Sequence, residues 1–304
     1  MSRRGHPPRP IGAAVGLALD RLLPEPPGAV HPVVLFGALM TGLERRLYRD
    51  AVRPGILHVL VGAGLGLGAG ALMRSTALAT SSAVAGRALV ATARDVGRSL
   101  QVDDIEGARE LLPSLVGRDP SGLERGEIAR AVVESVAENT VDAVVAPAFW
   151  ASVAGAPGAL GYRSVNTLDS MVGHRSPRYA NYGWASARLD DALAWIPARL
   201  TVVLVVLVRP HAAKAVWVAV RDQAPGHPSP NAGVAEAAFA AALGVRLGGT
   251  NRYGVQVEER VALGTGRPAE VEDIDGAIRL SNDVTAALAA GLALIGFVCW
   301  RSAR

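Results

Sequence analysis

Four stretches of this chain are nearly free of charge for the length of a membrane crossing. They are Pro54–Met73, Ala143–Tyr162, Ala192–Val208 (interrupted only by Arg199) and Val284–Trp300. A helix needs about 17–25 mostly apolar residues to traverse the hydrocarbon of a bilayer. Inside hydrocarbon every backbone polar group must be satisfied within the protein, which restricts such segments to helices. The prediction is therefore an all-α, polytopic membrane bundle with polar helical connections, forming a single integral-membrane domain over 1–304. Pro147, Gly155, Pro157 and Gly158 interrupt the second window, so a re-entrant or broken helix at 143–162 is expected.

Composition agrees. Half of the 304 residues are hydrophobic and 19% are charged, below the quarter usual in soluble domains. Residues 11–23 and 75–93 are weaker membrane candidates. Glu236 inside the alanine-rich 232–247 favours a buried or interfacial helix there. The net charge of +4 is small, and no basic run suits nucleic acid. Cys299 is the only cysteine, which excludes an internal disulfide and a cysteine-based zinc site. The amino terminus begins with a basic MSRRGHPPRP but lacks an apolar core and cleavage site, and is read as retained. The glycines of Gly62–Gly70 fall at GxxxG spacing (62/66, 64/68, 66/70), which lets helices approach closely in lipid. No Lys-Ser/Thr follows them and no strand precedes them, so they are not a phosphate loop.

Polar chemistry gathers at the borders of the second window. Glu134, Glu138 and Asp142 are each four apart and stack along one face of a helix. Such spacing also suits a solvated acidic face. Asn139, Asn166, Asp169, His174 and Arg175 follow within a short distance in sequence. Ser121, with Glu124 three residues on, is the expected start of the helix that carries the acids.

Four ordered motifs complete the pattern: His31-Pro-Val33, Glu134-Ser-Val-Ala-Glu-Asn-Thr-Val-Asp142, Tyr162-Arg-Ser-Val-Asn-Thr-Leu-Asp-Ser-Met-Val-Gly-His174 and Ser229-Pro-Asn-Ala-Gly233. With them the chain closely resembles the CobD/CbiB family of cobalamin biosynthesis, from about residue 11 to 300. One departure is Pro24-Glu25-Pro26, where the family tends to have Gly-Asp-Pro. The resemblance implies a multi-pass protein of the cell (inner) membrane, its active site facing the cytoplasm where ATP and corrinoids reside. It implies an ATP-dependent acid–amine ligase joining aminopropanol, or its O-phosphate, to a propionate carboxylate of adenosylcobyric acid. ATP and Mg2+ are implied by family and reaction, since no nucleotide motif is visible. The implied partners are the corrinoid, the amine and membrane lipid. A homo-oligomer or a complex with other cobalamin-biosynthesis proteins stays open.

That chemistry assigns expected roles. Magnesium prefers one or two carboxylates with phosphate oxygens and waters, which suits Glu134, Glu138 and Asp142. Arg163 and Arg175 suit phosphate contacts. His174 suits proton acceptance from the attacking ammonium, and Asp169 joins Glu138 and Asp142 as a candidate catalytic acid. Asn139, Asn166, His31, Ser229 and Asn231 are expected to bind substrate. Each has a plainer alternative. His174 suits a helix cap, Asn166 and Asp169 a local hydrogen-bonded turn, His31 a purely structural place, and Ser229–Gly233 an ordinary turn. Asp190 and Asp191 suit first-turn charges of the next helix. The competing functions are a membrane transporter for a corrinoid or other small molecule, without the paired repeats common in transporters, and a prenyltransferase, without its paired acid clusters.

Overall fold

The computed structural model describes residues 8–23, 31–117, 119–174, 176–253 and 256–302, and omits the side chains of 250–253 and 256–259. Helices come first along the chain: α1 (Arg9–Leu22), α2 (Pro32–Leu47), α3 (Val52–Met73), α4 (Thr76–Ala83), α5 (Gly86–Gln101), α6 (Ile105–Leu111), α7 (Arg125–Thr140), α8 (Ala146–Val172), α9 (Trp184–Val208), α10 (Ala213–Asp222) and α11 (Ala232–Leu243). A small sheet of β1 (Val245–Tyr253), β2 (Gln256–Leu263) and β3 (Arg267–Pro268) precedes the long α12 (Val271–Ser302). The expected helical bundle is present. Four helical segments, Val52–Met73, Arg125–Val172, Trp184–Val208 and Val271–Ser302, are long and apolar enough to cross a membrane, and each contains one of the four windows. Leu60, Leu65, Leu67 and Leu72 of α3, and Leu294, Ile295, Phe297 and Val298 of α12, are exposed. Outward leucine, valine and phenylalanine in such number fit a lipid surface better than an aqueous one.

The chain forms two compact units, the first from Met1–Ala85, Asp142–Ala194 and Leu288–Arg304, the second from Gly86–Val141 and Trp195–Ala287. In the first unit α3 packs along α8, and α1 and α4 also pack against α8. The glycine stripe explains the closest of these approaches. A methyl group on Gly66 would lie 2.6 Å from the Leu160 carbonyl and one on Gly70 2.5 Å from the Ala156 carbonyl. Gly64 and Gly68 point away and meet nothing within 4 Å among the described residues. Of the two rows in this run, 62/66/70 is the packing seam among the described residues and 64/68 is not. Met40, Val59, Leu168 and Ala185 make the apolar core beside it.

In the second unit α7 packs on α5 and α11, and the sheet has the order β2-β1-β3, with β1 antiparallel to β2 and parallel to β3. This sheet is a minor addition to an otherwise helical fold. The helix with the acids begins at Arg125 with Glu124 as its N-cap, three residues later than the Ser121 cap expected from sequence. The Ser121 N–H donates to Asp119 Oδ1 at 3.0 Å, so the Asp119-Pro120 turn takes that residue. Glu127 instead accepts the Glu124 N–H at 2.9 Å as the capping box. The weaker candidate 75–93 is split into α4 and α5, neither long enough to cross. Residues Ala232–Leu243 form a short buried helix with Glu236 inside it.

Candidate functional site: an acidic helical hairpin

In the first unit the 143–162 window does not run straight. Twenty residues of continuous helix would separate Asp142 from Tyr162 by about 30 Å, yet the Tyr162 hydroxyl reaches Asp142 Oδ1 at 3.5 Å. The chain therefore turns back on itself. Val141–Val145 widen into a π-helical turn, and Gly155 breaks the helix with φ 70° and ψ −151°. That backbone region is essentially reserved for glycine. The two arms then meet so closely that a methyl group on Gly158 would sit 2.1 Å from the Trp150 carbonyl. Pro157 follows the break, where its missing N–H costs least.

The reversal puts polar groups from both borders of the window into one network. Arg163 Nη1 donates to Asn166 Oδ1 at 3.3 Å, and the Asn166 amide donates to Asp190 Oδ1 at 3.4 Å. Asp190 is only 7% exposed and lies within electrostatic reach of Asp142, Asp169 and Asp191. Sequence reasoning underrated Asp190 and did not single out Tyr162. Asp190 is no first-turn charge, because α9 starts at Trp184 and places it well inside the helix. The signal for it was an acid pair at the edge of an apolar window, which reads equally well as a helix start. Trp150 Nε1, donating to the Leu193 carbonyl at 3.0 Å, fixes this part of α9 to the hairpin.

Other expected site residues make contacts of their own. In the second unit Glu134 is 2% exposed and its Oε1 accepts the Gly248 N–H at 2.9 Å, with Arg130 alongside at 3.5 Å. Glu138, one turn later, is exposed. Although four apart, these two acids do not share an environment. The Asn139 amide donates to the Ser135 carbonyl at 3.0 Å and to its hydroxyl at 3.1 Å. The Ser229 hydroxyl accepts the Asn231 and Ala232 N–H groups, and Asn231 Oδ1 accepts Arg199 Nη1 at 2.7 Å. In the first unit His31 caps α2, its Nδ1 accepting the Val33 N–H at 3.3 Å. His174 is exposed and meets the Tyr179 ring edge-on, with centroids 5.2 Å apart. Arg175 and the Pro24-Glu25-Pro26 departure lie outside the described residues.

Among the described residues no three His, Cys, Asp or Glu side chains lie together as a metal-binding set. The acids of the hairpin fit a less demanding site, in which one or two carboxylates hold magnesium and phosphate oxygens and waters supply the rest. Among the described residues a purely protein-built metal centre does not fit.

The fold and this site define a multi-pass membrane protein whose polar centre is built on a reversed, broken helix. The chain belongs to the CobD/CbiB family, whose model, described as CobD/Cbib protein, matches residues 13–281. A Mycobacterium tuberculosis H37Rv protein named Cobalamin biosynthesis protein CobD is 48% identical over 298 residues, which cover 92% of this chain and 94% of that protein. Proteins of the same name from Chromobacterium violaceum and Pelobacter propionicus are 45% and 40% identical. The first match covers 88% of this chain and 90% of the relative, the second 93% and 94%. No solved structure matches the chain.

Proposed function

We propose that this chain acts in cobalamin biosynthesis as an amide-forming enzyme. It joins aminopropanol or its O-phosphate to a propionate carboxylate of adenosylcobyric acid, consuming ATP. The observation that supports the reading is the meeting of Asp142, Tyr162, Arg163, Asn166 and Asp190 at the reversed helix. Polar and acidic groups beside hydrocarbon are costly, and their retention is a mark of use.

A carboxylate is a poor acyl donor and must be activated before an amine can displace its oxygen. Transfer of the terminal phosphoryl group of ATP to a propionate oxygen gives an acyl phosphate and ADP. The amine nitrogen then attacks the carbonyl carbon, inorganic phosphate leaves, and the ammonium proton passes to a base. Arg163 is the proposed contact for phosphate oxygens, and Asp142 and Asp190 the proposed carboxylates that would hold magnesium. Magnesium when bound supplies charge neutralisation on the transferring phosphoryl group. Asn166 orients Asp190 through its amide, and His174 is the proposed proton acceptor. The site is proposed to face the cytoplasm, where ATP is found.

A deletion strain tests the assignment in cells. Growth that depends on cobalamin should be restored by cobinamide but not by cobyric acid. Rescue by cobyric acid would place the chain elsewhere in the route.

A further inference from the structure

Glu44 has no part in the chemistry above, yet it is a carboxylate only 7% exposed in the last turn of α2. Burying a carboxylate is expensive unless fixed donors compensate it, and an apolar side chain would fill the same space at less cost. The donors come from the connection between α8 and α9. Arg178 Nη2 donates to Glu44 Oε1 at 3.2 Å and the Tyr179 hydroxyl donates to the same oxygen at 2.9 Å. The connection is held at three further points. The Arg178 guanidinium lies 4.1 Å from the centroid of the Tyr48 ring, and the Tyr48 hydroxyl donates to the Arg178 carbonyl at 2.9 Å. Asn181 Nδ2 donates to Asp50 Oδ1 at 3.0 Å. Hydrogen bonds that Arg178 donates to Tyr179 and Glu44 also push its guanidinium further above its ordinary value.

The Tyr179 ring held in this way is the surface against which His174 stands edge-on, at 87°. A short physical chain therefore runs from the buried carboxylate, through the phenol, to the imidazole. Edge-to-face contact fixes the tilt of a ring and still leaves its nitrogens open to solvent or substrate. We infer that Glu44 is a positioning residue, which fixes the Ser176–Gly183 turn through Arg178 and Tyr179 and so orients the His174 imidazole. This rests on the proposed role of His174 in proton acceptance.

The test compares Glu44→Gln, Tyr179→Phe and His174→Ala in the detergent-purified full chain. Glutamine keeps an acceptor for Tyr179 but removes the charge opposite Arg178. Phenylalanine keeps the ring edge for His174 but loses the tether to Glu44. Both should lower kcat by about 10- to 100-fold, the scale of small misplacements of a reacting group. KM for the amine and for ATP should change less than about twofold. A second reading is independent of activity: Arg178 should resist trypsin in the wild type and be cut in Glu44→Gln, as identified by fragment mass. If His174→Ala keeps full activity, the role of His174 fails and the inference falls with it. If His174→Ala is inactive while both other variants keep wild-type kcat, the role of His174 stands and the positioning by Glu44 is wrong. Should Glu44→Gln fail to fold, Tyr179→Phe, which removes one oxygen atom, carries the same decision.

Discussion

Glu134 Oε1 accepts the backbone N–H of Gly248 at 2.9 Å, joining the middle of α7 to an irregular point in β1 that lies 114 residues away in sequence. The register of β1 and β2 shifts at this place, between Leu247 and Gly249. A bulge leaves a ladder N–H without its strand partner, and the buried carboxylate supplies one. Arg130 also donates to the Gly248 carbonyl and sits beside Glu134.

Glu134 is therefore expected to act on stability before activity. Glu134→Ala leaves the Gly248 N–H and Arg130 without this acceptor and should cost about 1–3 kcal/mol, the usual penalty for an unsatisfied buried polar group. Glu134→Gln retains an acceptor oxygen and should cost less, with turnover within a few-fold of wild type. Thermal midpoints and product rates of the two variants decide it. A rate loss of about 10²–10³ in Glu134→Gln at unchanged stability would place Glu134 among the ligands instead.

Gly155 is the point on which the hairpin turns. Its φ of 70° and ψ of −151° exclude a side chain at a cost of about 1–3 kcal/mol. Gly155→Ala should lower the thermal midpoint in detergent and reduce the folded yield. Gly64→Ala provides the contrast, because nothing lies within 4 Å of that position among the described residues. It should be neutral, or stabilising by up to about 1 kcal/mol through helix propensity. Equal stability of Gly155→Ala and wild type would mean that the helix does not reverse there.

Much of this architecture was legible in sequence. The four membrane windows follow from apolar length alone, and the proline and glycine content of 143–162 announced a break. The GxxxG spacing offered the 64/68 pair as well as the 62/66/70 row, and packing uses the second. Asp190 was harder to read, because its neighbours in space, Asp142 and Asn166, are brought to it by the reversal at Gly155. No local pattern encodes which side such a break folds toward. Glu134 and Glu138 show the opposite limit. Their spacing suggested one shared face, whereas burial depends on what packs against each turn, and the partner of Glu134 lies in a strand that no alternating pattern revealed.

Burial, with Glu44 as the next cause, holds the Tyr182 phenol up at about 12, against an ordinary value of about 10. A raised folded-state value gives stability that is complete below the unfolded value and lost as pH rises through the folded one. Thermal stability should therefore fall between about pH 10 and pH 12, and the fall should be shallower in Tyr182→Phe. The hydroxyl has no hydrogen-bond partner among the described residues. Its removal near neutral pH should therefore be neutral, or stabilising by about 1 kcal/mol. An unchanged alkaline limb in Tyr182→Phe would show that other groups cause it.

The proposed chemistry is tested most directly by following corrinoid mass in a purified reaction. Detergent-solubilised protein is incubated with adenosylcobyric acid, ATP, magnesium and either aminopropanol or its O-phosphate. The expected result is an amide product with one of the two amines, dependent on ATP and magnesium, with the rate lowered about 10²–10³ in Asp190→Asn at retained folding. Folded wild-type protein that forms no amide with either amine, or an Asp190→Asn variant that turns over at the wild-type rate, would contradict it.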